Sequence, residues 1–173
     1  MPRMPENIER PEEGAMDADT LTTCLWFDGQ AEEAARFYCD LLPRSEITEV
    51  LHAPTDYPAG RTGDVLDVSF TLMGRPFLAL NGGAYTQFTE AVSLMIPCRT
   101  QEEVDRYWRA LSARPEAEAC GWVKDRWGLS WQIVPLVLPR LLSDPDRAKA
   151  GRVMRAMMEM KKIDIAALEA AAA

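Results

Sequence analysis

Apolar residues recur along this chain with two periods, and the switches between them mark out its elements. Thr20–Phe27 alternates as a strand. Asp28-Gly29-Gln30 follows as a turn that can cap a helix, with Asp28 as the expected cap. Between Ala31 and Leu42 the apolar positions Ala34, Phe37, Tyr38, Leu41 and Leu42 fall at helical spacing, and Pro43 stops the run. Glu46–His52 reads as a strand, and Pro54 to Gly63, with its prolines and glycines, as a loop. Asp64–Met73 alternates again, with Val65, Val68, Phe70 and Leu72 apolar. Gly74-Arg75 then turns the chain into Pro76–Asn81, which closes an antiparallel hairpin.

The second half repeats this order. Glu90–Pro97 is strand-like, and Thr100–Ser112 is a helix opening Thr-Gln-Glu-Glu, a capping-box pattern with Thr100 at the N-cap and Glu103 at N3. Gln30 to Tyr38 aligns with Thr100 to Trp108 at a constant offset, and that register pairs Thr23 with Ser93. Each half ends in a hairpin with a turn glycine, Gly74 and Gly128. One strand–helix–three-strand unit used twice is the expected organisation, over residues 20–82 and 90–135. Neither half covers a sheet alone, so the two are expected to pack together.

The most informative stretch is Cys120 to Pro135. Gly121–Lys124 and Leu129–Val134 flank the turn Asp125-Arg126-Trp127-Gly128. Alternation places Ser130, Gln132 and Val134 on one face and Leu129, Trp131 and Ile133 on the other. A Gln in an otherwise apolar strand needs partners if buried, or a wet cavity to point into. Asp125 and Lys124 read as turn and surface residues, and the tryptophans as core.

Beyond Pro135 the chain becomes helical in pattern. Leu136–Leu142 holds a turn or two, Asp144-Pro145 opens a further helix with Pro145 in its first turn, and Ile163–Ala173 is a third. Methionines between Met154 and Met160 offer a soft face for a second subunit or for ordinary packing. Residues 1–19 are acidic and proline-containing, and are expected to be a mobile tail. This gives three parts: 1–19, the paired modules 20–135, and an extension 136–173.

Composition narrows the partners. A net charge of −8 over 173 residues argues against nucleic acid and anionic membranes. No apolar run is long enough to span a bilayer, and no secretion signal is evident. Four scattered cysteines without C-x-x-C, and a single histidine, fit reduced thiols in a cytoplasmic protein better than a zinc or disulfide framework.

The FDGQAEEAARFY, FTEAVSLMIPC–TQEEVDRYW and CGWVKDRWGLSWQIVP stretches together resemble the PhnB-like branch of the vicinal oxygen chelate superfamily, often labelled 3-demethylubiquinone-9 3-methyltransferase. The resemblance spans Thr20 to about Ala167. It implies an α+β fold of tandem βαβββ modules forming a curved mixed sheet around a cavity (the glyoxalase/bleomycin resistance fold), with C-terminal helices added, in a homodimer. In the superfamily's enzymes a divalent metal is held by His, Glu or Gln from the first and last strands of each module. Carried over, those positions fall on Thr23, Ser93 or its neighbour Val92, Gln132, and the stretch Phe77 to Leu80, a set too weak for such a metal.

The expectation is therefore a small-molecule-binding protein with no metal, no cofactor and no assigned catalytic residue. Thr23, Ser93 and Gln132 would line its cavity, with Asn81 at the rim. The alternatives are a metal-dependent lyase, isomerase or dioxygenase of the same superfamily, and a structural or regulatory dimer.

Overall fold

In the computed structural model, which describes residues Asp19 to Ala173, the chain divides into two compact units that meet between Thr86 and Gln87. The expected tail falls outside the described residues apart from Asp19.

The first unit realises the strand–helix–three-strand pattern in full. β1 (Thr23–Phe27), α1 (Ala31–Leu41), β2 (Glu46–His52), β3 (Val65–Leu72) and β4 (Arg75–Asn81) follow in order. The sheet runs β1-β4-β3-β2, with β1 parallel to β4 and the other pairs antiparallel. One face is apolar because the strands alternate: Leu25 and Phe27, Phe77 and Ala79, and Val68, Phe70 and Leu72 are all buried. α1 packs against β3 and β4, and its Ala31, Ala34, Ala35 and Tyr38 are buried. The hairpin turn is Met73-Gly74 rather than Gly74-Arg75, since Leu72 pairs directly with Arg75. Both turn residues have positive φ, 51° and 82°, as a two-residue loop between twisted strands demands.

The second unit departs from the repeat. β5 (Ser93–Cys98) is followed by α2 (Gln101–Leu111), β6 (Trp122–Lys124) and β7 (Ser130–Pro135), in sheet order β5-β7-β6. β5 is parallel to β7 as β1 is to β4. The place of β2 is taken by a single 3-10 turn, Pro115–Ala117. The local sequence explains this. Arg114 to Ala119 carries a proline, two glutamates and two alanines, with no β-branched or aromatic residue to hold a strand. β6 is thereby left as an edge.

The extension forms α3 (Val137–Leu142), α4 (Arg147–Met158) and α5 (Ile165–Ala172). Leu138, Val153, Ile163 and Leu168 make its buried core, with Val134, Met157 and Met160 packed against it. Asp146 caps α4 by accepting from Ala148 N and Lys149 N, so Pro145 lies just before the helix, not in its first turn. The extension is stitched to the second unit by backbone: Cys120 N donates to Met160 O and Gly121 N to Lys161 O, both at 2.8 Å. Gln101 adds a bracket, donating from Nε2 to Ile163 O (3.1 Å) and accepting from Ile165 N at Oε1 (2.9 Å). Among the described residues, no helix is long and apolar enough to cross a membrane.

Candidate functional site

The hairpin from Trp122 to Pro135 is built around Asp125. The sequence reading placed this residue on the surface, but it is 1% exposed. Its Oδ1 accepts from Trp127 N and Leu129 N, both at 3.0 Å, and its Oδ2 accepts from Trp131 Nε1 at 2.8 Å. A short turn leaves inward-pointing N–H groups, and a carboxylate beneath it satisfies three at once. Trp131 is thereby fixed in the core, with Ile133 beside it on the helix-facing side of β7.

The opposite face of this sheet carries the polar residues. Register pairs Trp122 with Gln132 and Lys124 with Ser130 across β6 and β7, and Ser93 with Ser130 across β5 and β7. Gln132 Nε2 donates to Ser93 Oγ at 2.9 Å, so two sequence-predicted site residues meet. Lys124 Nζ forms an ion pair with Glu90 at 2.5 Å; the lysine side chain is 17% exposed and the glutamate 67%. The Lys124 ammonium, by hydrogen bonding, holds the Glu90 carboxyl below its ordinary range. Ser130 is buried, and its Oγ has no hydrogen-bond partner among the described residues. Beside it lies a cavity of about 290 Å³, lined by Glu90, Ala117, Ala119, Trp122, Lys124 and Ser130. Its walls come partly from the segment that replaces the missing strand.

The other two predicted site residues are placed differently. Thr23 alternates onto the same side of β1 as the buried Leu25 and Phe27, paired with Phe77. Cys24 and Trp26 alternate onto the other face. Asn81 is not at a rim: it is 5% exposed, its Oδ1 accepts from Ala31 N and its Nδ2 donates to Val65 O, both at 2.9 Å. It does the work expected of Asp28, because the N-cap residue of α1 is Gln30 and makes no side-chain cap bond. A remote Asn from β4 satisfies the first helical N–H instead.

Sequence reasoning also passed over Asp67. It is half-buried on the side of β3 opposite Val68 and Phe70, cross-strand from Leu80. Burial, with the nearby Glu49 charge, pushes its carboxyl above the ordinary range. An Asp in an alternating strand could have signalled this, because polar positions facing out of one strand lie together on the sheet. The thiols are poor nucleophiles. Burial raises Cys24, lifts Cys39 to about 11 and lifts Cys98 to about 12, so little thiolate forms near neutral pH. All four cysteines are free.

Residues 19–134 match the family described as 3-demethylubiquinone-9 3-methyltransferase. The chain belongs to this PhnB-like family. A PhnB protein from Bacillus cereus, described as a 3-demethylubiquinone-9 3-methyltransferase, is 34% identical at a TM-score of 0.56. The match covers 66% of this chain and 98% of that one. Protein PA1353 from Pseudomonas aeruginosa shares the fold at 19% identity and a TM-score of 0.51, covering 67% of this chain and 96% of that one. No curated protein matches the chain. The glyoxalase-type α+β fold, with two mixed sheets, is that of these PhnB-like neighbours. The match to the family model ends at residue 134, so α3 to α5 lie beyond it.

The divalent metal of the wider superfamily does not fit this PhnB-like chain. Among the described residues no three His, Cys, Asp or Glu side chains converge as a ligand set. His52 is exposed on β2, with Nδ1 3.0 Å from Gly63 O. Gln132, the best donor on the second sheet, has only a serine hydroxyl bonded to it.

Proposed function

We propose that this PhnB-like protein binds a small molecule on the polar face of its second sheet, where Ser130, Gln132, Ser93 and Trp122 contact it. The observation that carries this reading is the Ser130 hydroxyl, buried without a partner beside a cavity. Roughly nine in ten buried polar groups in folded proteins are paired, and an exception at a cavity wall is supplied with a partner when a ligand enters. Gln132 and Ser93 add an amide and a hydroxyl next to it. Thr23 and Asn81 belong to the first unit and are not part of this proposal; the Asn81 amide holds Ala31 N and Val65 O. The methyl transfer in the family's description is not carried over: the β1–α1 connection is Asp28-Gly29-Gln30, with a single glycine and no phosphate cradle.

We take the chain to act in the cytoplasm, where its four thiols stay reduced, and as a homodimer, as the family resemblance implies. The test is a thermal-shift screen of the full chain against small aromatics and amphiphiles, because a native-state ligand raises the midpoint. A hit whose shift disappears in Gln132→Leu and changes in Ser130→Ala supports the site. Hits indifferent to both substitutions would place binding elsewhere and end this reading.

A further inference from the structure

Glu90 and Lys124 are an unequal pair. The lysine side chain is mostly buried and lines the cavity, whereas the glutamate is an exposed side chain on the turn leading into β5. An ammonium held at a cavity wall favours an anionic partner, while an exposed carboxylate loses little on returning to water. Ser130 lies directly across the ladder from Lys124, so its unpaired hydroxyl and the ammonium project from the same face. Trp122 and two alanines, Ala117 and Ala119, supply a flat apolar wall to the same cavity.

We infer that Glu90 is a tethered stand-in for the carboxylate of a small aromatic acid, which displaces it from Lys124, takes the Ser130 hydroxyl as a second donor, and lays its ring on Trp122. This rests on the binding reading above and adds the ligand class to it. A cavity of about 290 Å³ accommodates one ring and a short side chain, at the lower end of known ligand sites. No bond is made or broken: a carboxylate leaves Lys124 and another takes its place. A cationic or neutral amphiphile would leave the ammonium paired with Glu90 and gain only the wall.

The experiment is calorimetric titration of the full chain with benzoate and phenylacetate, and with benzyl alcohol as the uncharged comparison. The acids are expected to bind and the alcohol to bind at least about tenfold more weakly, the difference a charge-assisted hydrogen bond makes. Glu90→Gln should tighten benzoate by removing its competitor, and Lys124→Met should abolish the preference for acid over alcohol. Both variants are checked for native circular dichroism; Glu90 is exposed and Met keeps the length of the lysine stem. Unchanged or weakened benzoate binding in Glu90→Gln would overturn the stand-in role. Equal binding of benzoate and benzyl alcohol, sensitive to Gln132→Leu, would overturn the acid ligand and leave the binding reading standing. If neither probe binds and the wider screen gives no hit, both fall.

Discussion

The two units begin their helices and close their sheets by different means, although one pattern runs through both. In the first, α1 has no local side-chain cap, and Asn81 reaches in from β4 to take its first N–H. In the second, Thr100 accepts from Glu103 N as its sequence announces, while Glu103 accepts from Arg99 N, one residue before the N-cap, rather than from Thr100 N. The first sheet covers β3 with β2, whereas the second leaves β6 at the edge with a cavity beside it. The lesson is that a duplicated frame need not hold a duplicated site. Where the first unit spends its buried polar group on structure, the second leaves one without a partner.

The sharpest way to break this contrast is at Asp125, which has no counterpart in the Met73-Gly74 turn of the first unit. Asp125→Ala removes the acceptor of three donors, two of them buried, and is expected to destabilise by about 3–5 kcal/mol, measured by urea unfolding with tryptophan fluorescence. Asp125→Asn keeps the backbone bonds but sets an amide N–H against Trp131 Nε1, so roughly half that loss is expected. Equal stability of Asn and wild type would mean the carboxylate is not the organiser of the hairpin.

The caps come next. Asn81→Leu leaves Ala31 N and Val65 O without their partner and should cost about 2–3 kcal/mol. Thr100→Ala removes one exposed cap bond and should cost about 1 kcal/mol. If the two losses were equal, remote and local capping would be interchangeable, and the contrast between the units would lose its energetic content.

These sites also show how much was legible beforehand. Alternation and helical spacing gave the elements of the first unit, because β1, β3 and β4 each bury one face and α1 one stripe. The Thr100 cap was legible because donor and acceptor are three residues apart. Asn81 was misplaced because its partners, Ala31 N and Val65 O, are brought near only by the folded chain, and Asp125 because its three donors turn inward only once the hairpin closes. The absent fourth strand of the second unit was carried in Arg114 to Ala119, whose composition disfavours a strand, but the repeat argued louder. Gln132 and Ser93, both expected to line a cavity, are joined by a hydrogen bond, which the alternation of each strand alone does not specify. Ser130 was seen as facing with Gln132, and its lack of a partner is a property of the surroundings, not of the sequence.

A smaller effect tests that hydroxyl directly. Ser130→Ala removes a buried group that bonds to nothing described, so stability should hold or rise by up to about 1 kcal/mol. A loss of stability in thermal melts of the ligand-free chain would show that Ser130 already has a structural partner, and the second unit would then be as settled as the first.

The smallest effect is in the first unit, at Asp67, and its sign separates burial from function. Burial first, and the Glu49 charge second, raise this carboxyl above its unfolded value. A raised folded pKa means the native state holds the proton more tightly than the unfolded chain, so its contribution to stability is present below the unfolded value, about 3.9, and is lost as pH rises through the folded one. Asp67→Asn removes that loss. The variant should melt higher than wild type at pH 7, and the gap should close as pH falls toward 3. Glu49→Gln should narrow the same gap in part, by removing the like charge while leaving the burial. A gap that stays constant from pH 3 to pH 7 would mean the substitution acts through packing, and not through the carboxyl's raised pKa.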